Sequence, residues 1–232
     1  MNRNGREILR DHLIEKKQEE MREKAVTEIL SDSSKFFHDI NFNFKIVLSP
    51  KSYPIYNESL DFDFQDFSDF FFDITIGTNG FDSEGFTLKT RNFIQPMILN
   101  VWMNISEHRR FPNSIIIKKD GVIMFNHSQT IEEAHTIIDF NTISKHLKLF
   151  ITELIPKIYE KMNYAEKIKI LVEYGDLSGY QLIYGNPSLK YDYSPHYKPS
   201  KNLILHLENP ESVLRRIITD FQKMFFKLQE DP

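Results

Sequence analysis

Ser114-Ile-Ile-Ile-Lys-Lys-Asp-Gly-Val-Ile-Met-Phe125 consists of two apolar runs, Ser114–Lys118 and Val122–Phe125, on either side of Lys119-Asp120-Gly121. β-Branched and aromatic side chains suit a pleated, half-buried surface. Asp-Gly is a favoured pair for the type I′ turn that closes a two-residue hairpin. The stretch therefore predicts an antiparallel hairpin, and the segments around it settle the fold class.

On its C-terminal side, Asn141–Asn163 carries Ile143, Leu147, Phe150, Ile151, Leu154, Ile158 and Met162 at helical spacing. Pro156 should kink this helix, because it removes the amide that would bond back to Thr152. Lys167–Glu173 alternates as a strand, Asp176–Gly179 turns, and Tyr180–Tyr184 returns. Gly185–Lys201 is expected as a long Pro- and Tyr-rich loop, followed by a last strand at Asn202–His206. Asn209 and Pro210 are suited to cap and open a final helix. Its stripe is Val213, Leu214, Ile217, Ile218, Phe221, Phe225 and Leu228.

On its N-terminal side, strands are expected at Phe86–Arg91 and Ile98–Ile105, after a turn-rich Gly77–Gly85. Tyr53–Asp73 has an ambiguous period and favours a short helix. Asn41–Ser49 places Phe42, Phe44, Ile46 and Leu48 on one strand face, and Pro50 ends the strand. Arg6–Leu30 is helical in period, with Ile8, Leu9, Leu13, Met21, Ala25, Ile29 and Leu30 as its apolar positions. Its middle, Glu15–Glu20, is charged on every side, so it is either a projecting arm or packed only at its ends. The order helix, strands, helix, strands, helix argues for an α+β fold. A mixed, mainly antiparallel sheet would pack with a long kinked helix and a C-terminal helix. Residues 1–34 form a charged helix or arm, and residues 35–232 a single domain.

The sequence has 232 residues, 41% hydrophobic and 27% charged, with a net charge of −4. That composition is ordinary for a globular protein with a sizeable core. The 20 Phe and 10 Tyr against one Trp suit a large core and are not functional evidence by themselves. No cysteine is present, which removes disulfides, thiolate zinc sites and a cysteine nucleophile. A cysteine-free chain without an apolar leader or membrane-length segment is expected in the cytoplasm. The acidic balance is wrong for a dedicated nucleic-acid binder.

No stretch carries a recognisable catalytic motif. Gly77-Thr-Asn-Gly80 lacks the lysine of a phosphate-binding loop. Gly175-Asp-Leu-Ser-Gly179 places its serine one position late for a nucleophile elbow. An acidic run begins at Asp61, but a calcium loop started there would hold Asp66 and Phe72 where it needs glycine and glutamate. No His-x-x-x-His pair exists, and no Glu-x-Lys falls on an expected strand. No metal, cofactor or catalytic residue is therefore expected.

Two sets of binding residues stand out. Tyr191, Tyr193, His196, Tyr197 and Lys198 lie in the loop before the last strand. Tyrosines supply large contact area with a polar tip, and Pro187, Pro195 and Pro199 limit the entropy lost on docking. The loop is either a partner site or a cover over the domain's own core. Lys89, Arg91, Arg109, Arg110 and Lys118 would contact phosphate if their strands share a sheet face, and are otherwise scattered solvated charge.

Several of these features together resemble the region after the DNA-binding domain in bacterial Schlafen-like, Alba-type ATP-binding proteins. Arg6–Lys24 resembles that family's charged helix, and Phe42–Pro50 its proline-ended strand. Ile115–Phe125 resembles its Asp-Gly hairpin, and Ile151–Tyr164 with Ile168–Val172 its long helix and following strand. The family's nucleotide- and DNA-binding part has no match here, so no functional residue carries over. The resemblance implies an accessory or interaction module of a phage-defence or mobile-element protein. The expected role is a non-catalytic interaction domain whose partner is another protein or a second copy. The alternative is a nucleic-acid-associated protein or nuclease component using the basic strands, with weak nucleic-acid binding and no membrane.

Overall fold

The computed structural model describes residues 3–36, 42–54, 101–103, 113–117, 120–129, 137–186 and 189–225. The elements in order are α1 (Arg3–Phe36), β1 (Phe42–Pro50), β2 (Val101–Met103), β3 (Asn113–Ile117), β4 (Ile123–Gln129) and β5 (Ile137–Asp139). Then come α2 (Phe140–Lys148), a π-helical segment (Leu149–Leu154), α3 (Ile155–Lys161), β6 (Ile168–Tyr174), β7 (Gln181–Ile183), β8 (Lys190–Asp192), β9 (Asn202–Leu205) and α4 (Pro210–Lys223). The expected α+β class is found. A six-stranded antiparallel sheet runs β2-β3-β4-β1-β6-β9. A smaller sheet, β5-β7-β8, pairs β5 with β7 in parallel and β7 with β8 antiparallel.

β1 is central, and its alternation explains why. Phe44, Ile46 and Leu48 are buried on one face, with Ile123 and Phe125 of β4 and Ile168, Ile170 and Val172 of β6. Val47 points to the other face and is buried as well. Strand residues alternate between faces, so a strand covered on both sides buries both sets.

The hairpin forms, but not with a two-residue turn. β3 and β4 close at Ile117 opposite Ile123, a wider gap than that turn allows. Gly121 takes φ 90°, a conformation that glycine adopts without strain. Asp120 accepts the Val122 amide on Oδ1 at 3.1 Å and the Tyr53 hydroxyl on Oδ2 at 2.7 Å.

The core face is covered by the run from Phe140 to Lys161 and by α4. All seven stripe residues of the first are buried, as are Val213, Leu214, Ile217, Phe221 and Phe225 of the second region. Phe125 stacks on Phe150 and Phe140 on Phe221, each at 4.7 Å between ring centres. The disturbance expected at Pro156 takes the form of the π segment just ahead of it. There the Ile155 amide reaches back to the Phe150 carbonyl. Proline offers no amide to Thr152, and the widened turn precedes the residue that cannot bond. Asn209 holds the cap position of α4 with Pro210 behind it, but its side chain makes no capping bond. Ser212 donates its hydroxyl to the Asn209 carbonyl at 3.0 Å instead.

α1 lies on the opposite face and packs at one end only. Ala25 and Ile29 are buried with Val47, Val122, Met124 and Tyr53. Every residue from Ile8 to Lys17 is exposed. The expected loop Gly185–Lys201 is not wholly irregular, because β8 lies within it and Tyr191 pairs with Leu182. The expected features at Gly77–Gly85 and Phe86–Arg91, residues 55–73 and Leu228 lie outside the described residues. Of the expected strand Ile98–Ile105, Val101–Met103 is found as β2.

Candidate functional site

The tyrosine segment runs from β8 to β9 and bonds to α4 and to the residues just after it. The Tyr193 amide donates to the Tyr180 carbonyl at 3.2 Å, and the Ser194 amide to Met224 at 2.6 Å. The Tyr193 ring meets Phe225 edge-on at 5.7 Å. Further along, Tyr197 donates its hydroxyl to Oδ1 of Asp220 at 2.5 Å. The Ser200 amide and Arg216 Nε both donate to Oδ2 of Asp220, at 3.0 and 3.1 Å. Arg216 Nη2 also reaches the Ser200 hydroxyl at 2.8 Å, and Lys223 sits 5.6 Å from the Tyr197 ring centre.

Asp220 is 1% exposed, which makes its charge state decisive. Burial pushes its carboxyl up, but the Tyr197 hydroxyl, the Ser200 amide and the Arg216 charge outweigh that and hold it below the ordinary value. Burial and the nearby Asp220 push the Tyr197 phenol up. Tyr174 lies close by, its ring against Phe44 and Phe221 at 5.3 and 5.7 Å. Its buried hydroxyl has no hydrogen-bond partner among the described residues, and burial followed by Asp220 pushes it well above the usual tyrosine range. The Asp220 carboxylate, taking the Tyr197 hydroxyl, the Ser200 amide and Arg216, fastens the segment before β9 to α4. The carboxyl is shifted down and the two phenols up, each away from neutral pH, where general acid–base catalysis works best.

The structure thus brings Tyr193 and Tyr197 onto α4 and leaves Tyr191, Tyr193 and Tyr197 half-buried against the main core. His196 and Lys198 are exposed. Lys89, Arg91, Arg109, Arg110 and Lys118 lie outside the described residues. Sequence reasoning missed Asp220 and Arg216, although their i, i+4 spacing on a helix is a recognisable pairing signal.

The root of α1 is held by charge. Glu19 accepts Lys169 of β6 at 2.7 Å and pairs with Arg22 on its own helix. Arg22 also donates to the Lys51 carbonyl at 3.4 Å. Close to this root, an open depression of about 320 Å³ lies between Lys51, Glu166, Lys167 and His206. Among the described residues no three His, Asp or Glu side chains gather to hold a metal ion. No described helix is long and apolar enough to cross a membrane. None of the family models, curated proteins and solved structures compared with this chain matches it.

Proposed function

We propose that this chain is a non-catalytic accessory domain that works by binding another protein chain. One observation carries the reading: the N-terminal half of α1 stands clear of the sheet with large aliphatic side chains in solvent. Ile8 is 69% exposed, Leu9 52%, Leu13 57% and Ile14 47%. A short helical stretch gains little stability by itself, and most helices are stabilised by packing an apolar face. Large aliphatic side chains clustered in solvent mark an interaction site. The exposed His196 and Lys198, beside Tyr191, Tyr193 and Tyr197, offer a second contact area on the far side of the sheet.

The order of hairpin, long helix and strand is the basis for placing the chain beside the accessory region of Schlafen-like proteins, in phage defence or mobile-element biology. The cysteine-free sequence supports a cytoplasmic setting. The test is affinity purification with sedimentation velocity on the wild type and on Leu9→Glu/Leu13→Glu. A stoichiometric partner, or self-association, should be lost in the variant with the melting midpoint unchanged. A wild type that stays monomeric and retains no stoichiometric partner would overturn the reading.

A further inference from the structure

Among the described residues β9 ends the six-stranded order, with β6 on one side and no strand on the other. Leu203 lies opposite Ile170, and Leu205 opposite Ile168. The Val172 amide donates to the Lys201 carbonyl at 2.7 Å. In an antiparallel ladder, alternate residues turn both backbone groups to the same neighbour. Lys201, Leu203 and Leu205 therefore bond toward β6, and Asn202 and Ile204 aim N–H and C=O outward. Edge strands are usually guarded by charge, proline or a bulge. Asn202 and Ile204 offer neither charge nor proline, and Ile204 is 43% exposed.

We propose that this edge pairs with the β9 edge of a second copy, joining two sheets across a two-fold axis. The proposal rests on the protein-binding reading above and names its partner. A two-fold axis perpendicular to the sheet keeps each face on its own side, so a residue can sit opposite itself. With Ile204 opposite Ile204 of the second copy, both exposed side chains are covered. The outward backbone groups of Ile204 then pair with each other. Leu203 falls opposite Leu205 of the second copy, and the apolar core continues across the joint.

Charge favours the same antiparallel arrangement. Lys198 and Lys201 precede the strand and Glu208 follows it, all exposed. Reversing the second copy lays the basic end of one strand beside the acidic end of the other.

The arm lies on the same face and the same side. α1 packs over β1 and β4 through Ala25 and Ile29, and Glu19 then holds Lys169 of β6, whose cross-strand neighbour is Ile204. A helix that crosses from β4 toward β6 continues past β9. The exposed half of α1 therefore extends over the position a second copy would fill, and adds area to a joint that four strand residues alone would leave small.

The test combines sedimentation velocity over a range of concentrations with hydrogen exchange at the Asn202 and Ile204 amides. The wild type should move from the mass of one chain to that of two, and exchange at both amides should slow as it does so. Ile204→Lys should sediment as one chain at the same concentrations, with its melting midpoint at the wild-type monomer's value. If Ile204→Lys proves unstable, the concentration dependence of exchange in the wild type decides alone. A dimer whose Asn202 and Ile204 amides exchange at a rate independent of concentration overturns the edge pairing while leaving protein binding intact. A wild type that is monomeric at every concentration overturns the pairing too. Protein binding itself fails only if, in addition, no stoichiometric partner depends on Leu9 and Leu13.

Discussion

The hydroxyl of Tyr197 reaches across to α4 and donates to the carboxylate of Asp220 at 2.5 Å, a bond that fastens the segment before β9 to the last helix. The same carboxylate takes the Ser200 amide and Arg216 Nε, so one buried charge holds three donors. Hydrogen bonds to charged groups contribute about 1.5–3 kcal/mol. Tyr197→Phe should therefore lower stability in denaturant melts by about that amount. A loss under about 0.5 kcal/mol, the range of ordinary surface changes, would show that the clamp is idle.

The clamp also has a pH signature. The folded carboxyl of Asp220 is held below its ordinary value, so the unfolded chain binds the proton more readily. Its stabilisation is present above the unfolded value of about 3.9 and is lost as pH falls through the lower folded value. Wild type should thus exceed Asp220→Asn in melting midpoint at pH 7, and the gap should narrow below about pH 4. A gap that is constant down to pH 3 would count against an ionised Asp220.

Leu147 and Leu154 are both buried under the main sheet. Leu147→Ala or Leu154→Ala should each cost about 2–5 kcal/mol, the usual range for emptying such a position. Chemical denaturation giving less than about 0.5 kcal/mol would mean that the stripe faces solvent.

Tyr159 is fully buried and donates to the Gly121 carbonyl at 2.9 Å, tying α3 to the hairpin turn. Tyr159→Phe keeps the ring and leaves that carbonyl without its donor. The expected cost is about 1–3 kcal/mol. An unchanged midpoint would mean that water or a shifted backbone replaces the bond.

Replacing Tyr191, Tyr193 and Tyr197 together with Ser separates two roles for the segment. Their contacts with the core and with Asp220 predict a clear drop in melting midpoint. An unchanged midpoint with loss of a bound partner would instead assign these rings to the partner.

Much of this fold is legible because periodicity reports burial. β1 and β6 alternate, and the helix stripes repeat every three or four residues, since each packs a defined face on one core. β5 was missed because Ile137–Asp139 is too short for any period to show. The hairpin was legible but its turn was not, since Asp120 spends its carboxylate on Tyr53, a residue far away in sequence. The clamp at Asp220 was hidden for the same reason: Tyr197 and Asp220 meet only after β9 and α4 have turned back on themselves. The charged middle of α1 calls for an arm or end-only packing. Which end is packed depends on Val47 and Met124, which no local pattern in α1 reveals.

The one-sided anchoring of α1 sets a distance. A helix rises about 1.5 Å per residue and resists bending, so the free stretch from Ile8 to Lys17 reaches about 15 Å beyond its charged root. Whatever meets the tip of that stretch is held at a fixed stand-off from the sheet, and inserting or deleting seven residues, close to two turns, would change the reach by about 10.5 Å and rotate the tip by only about 20°.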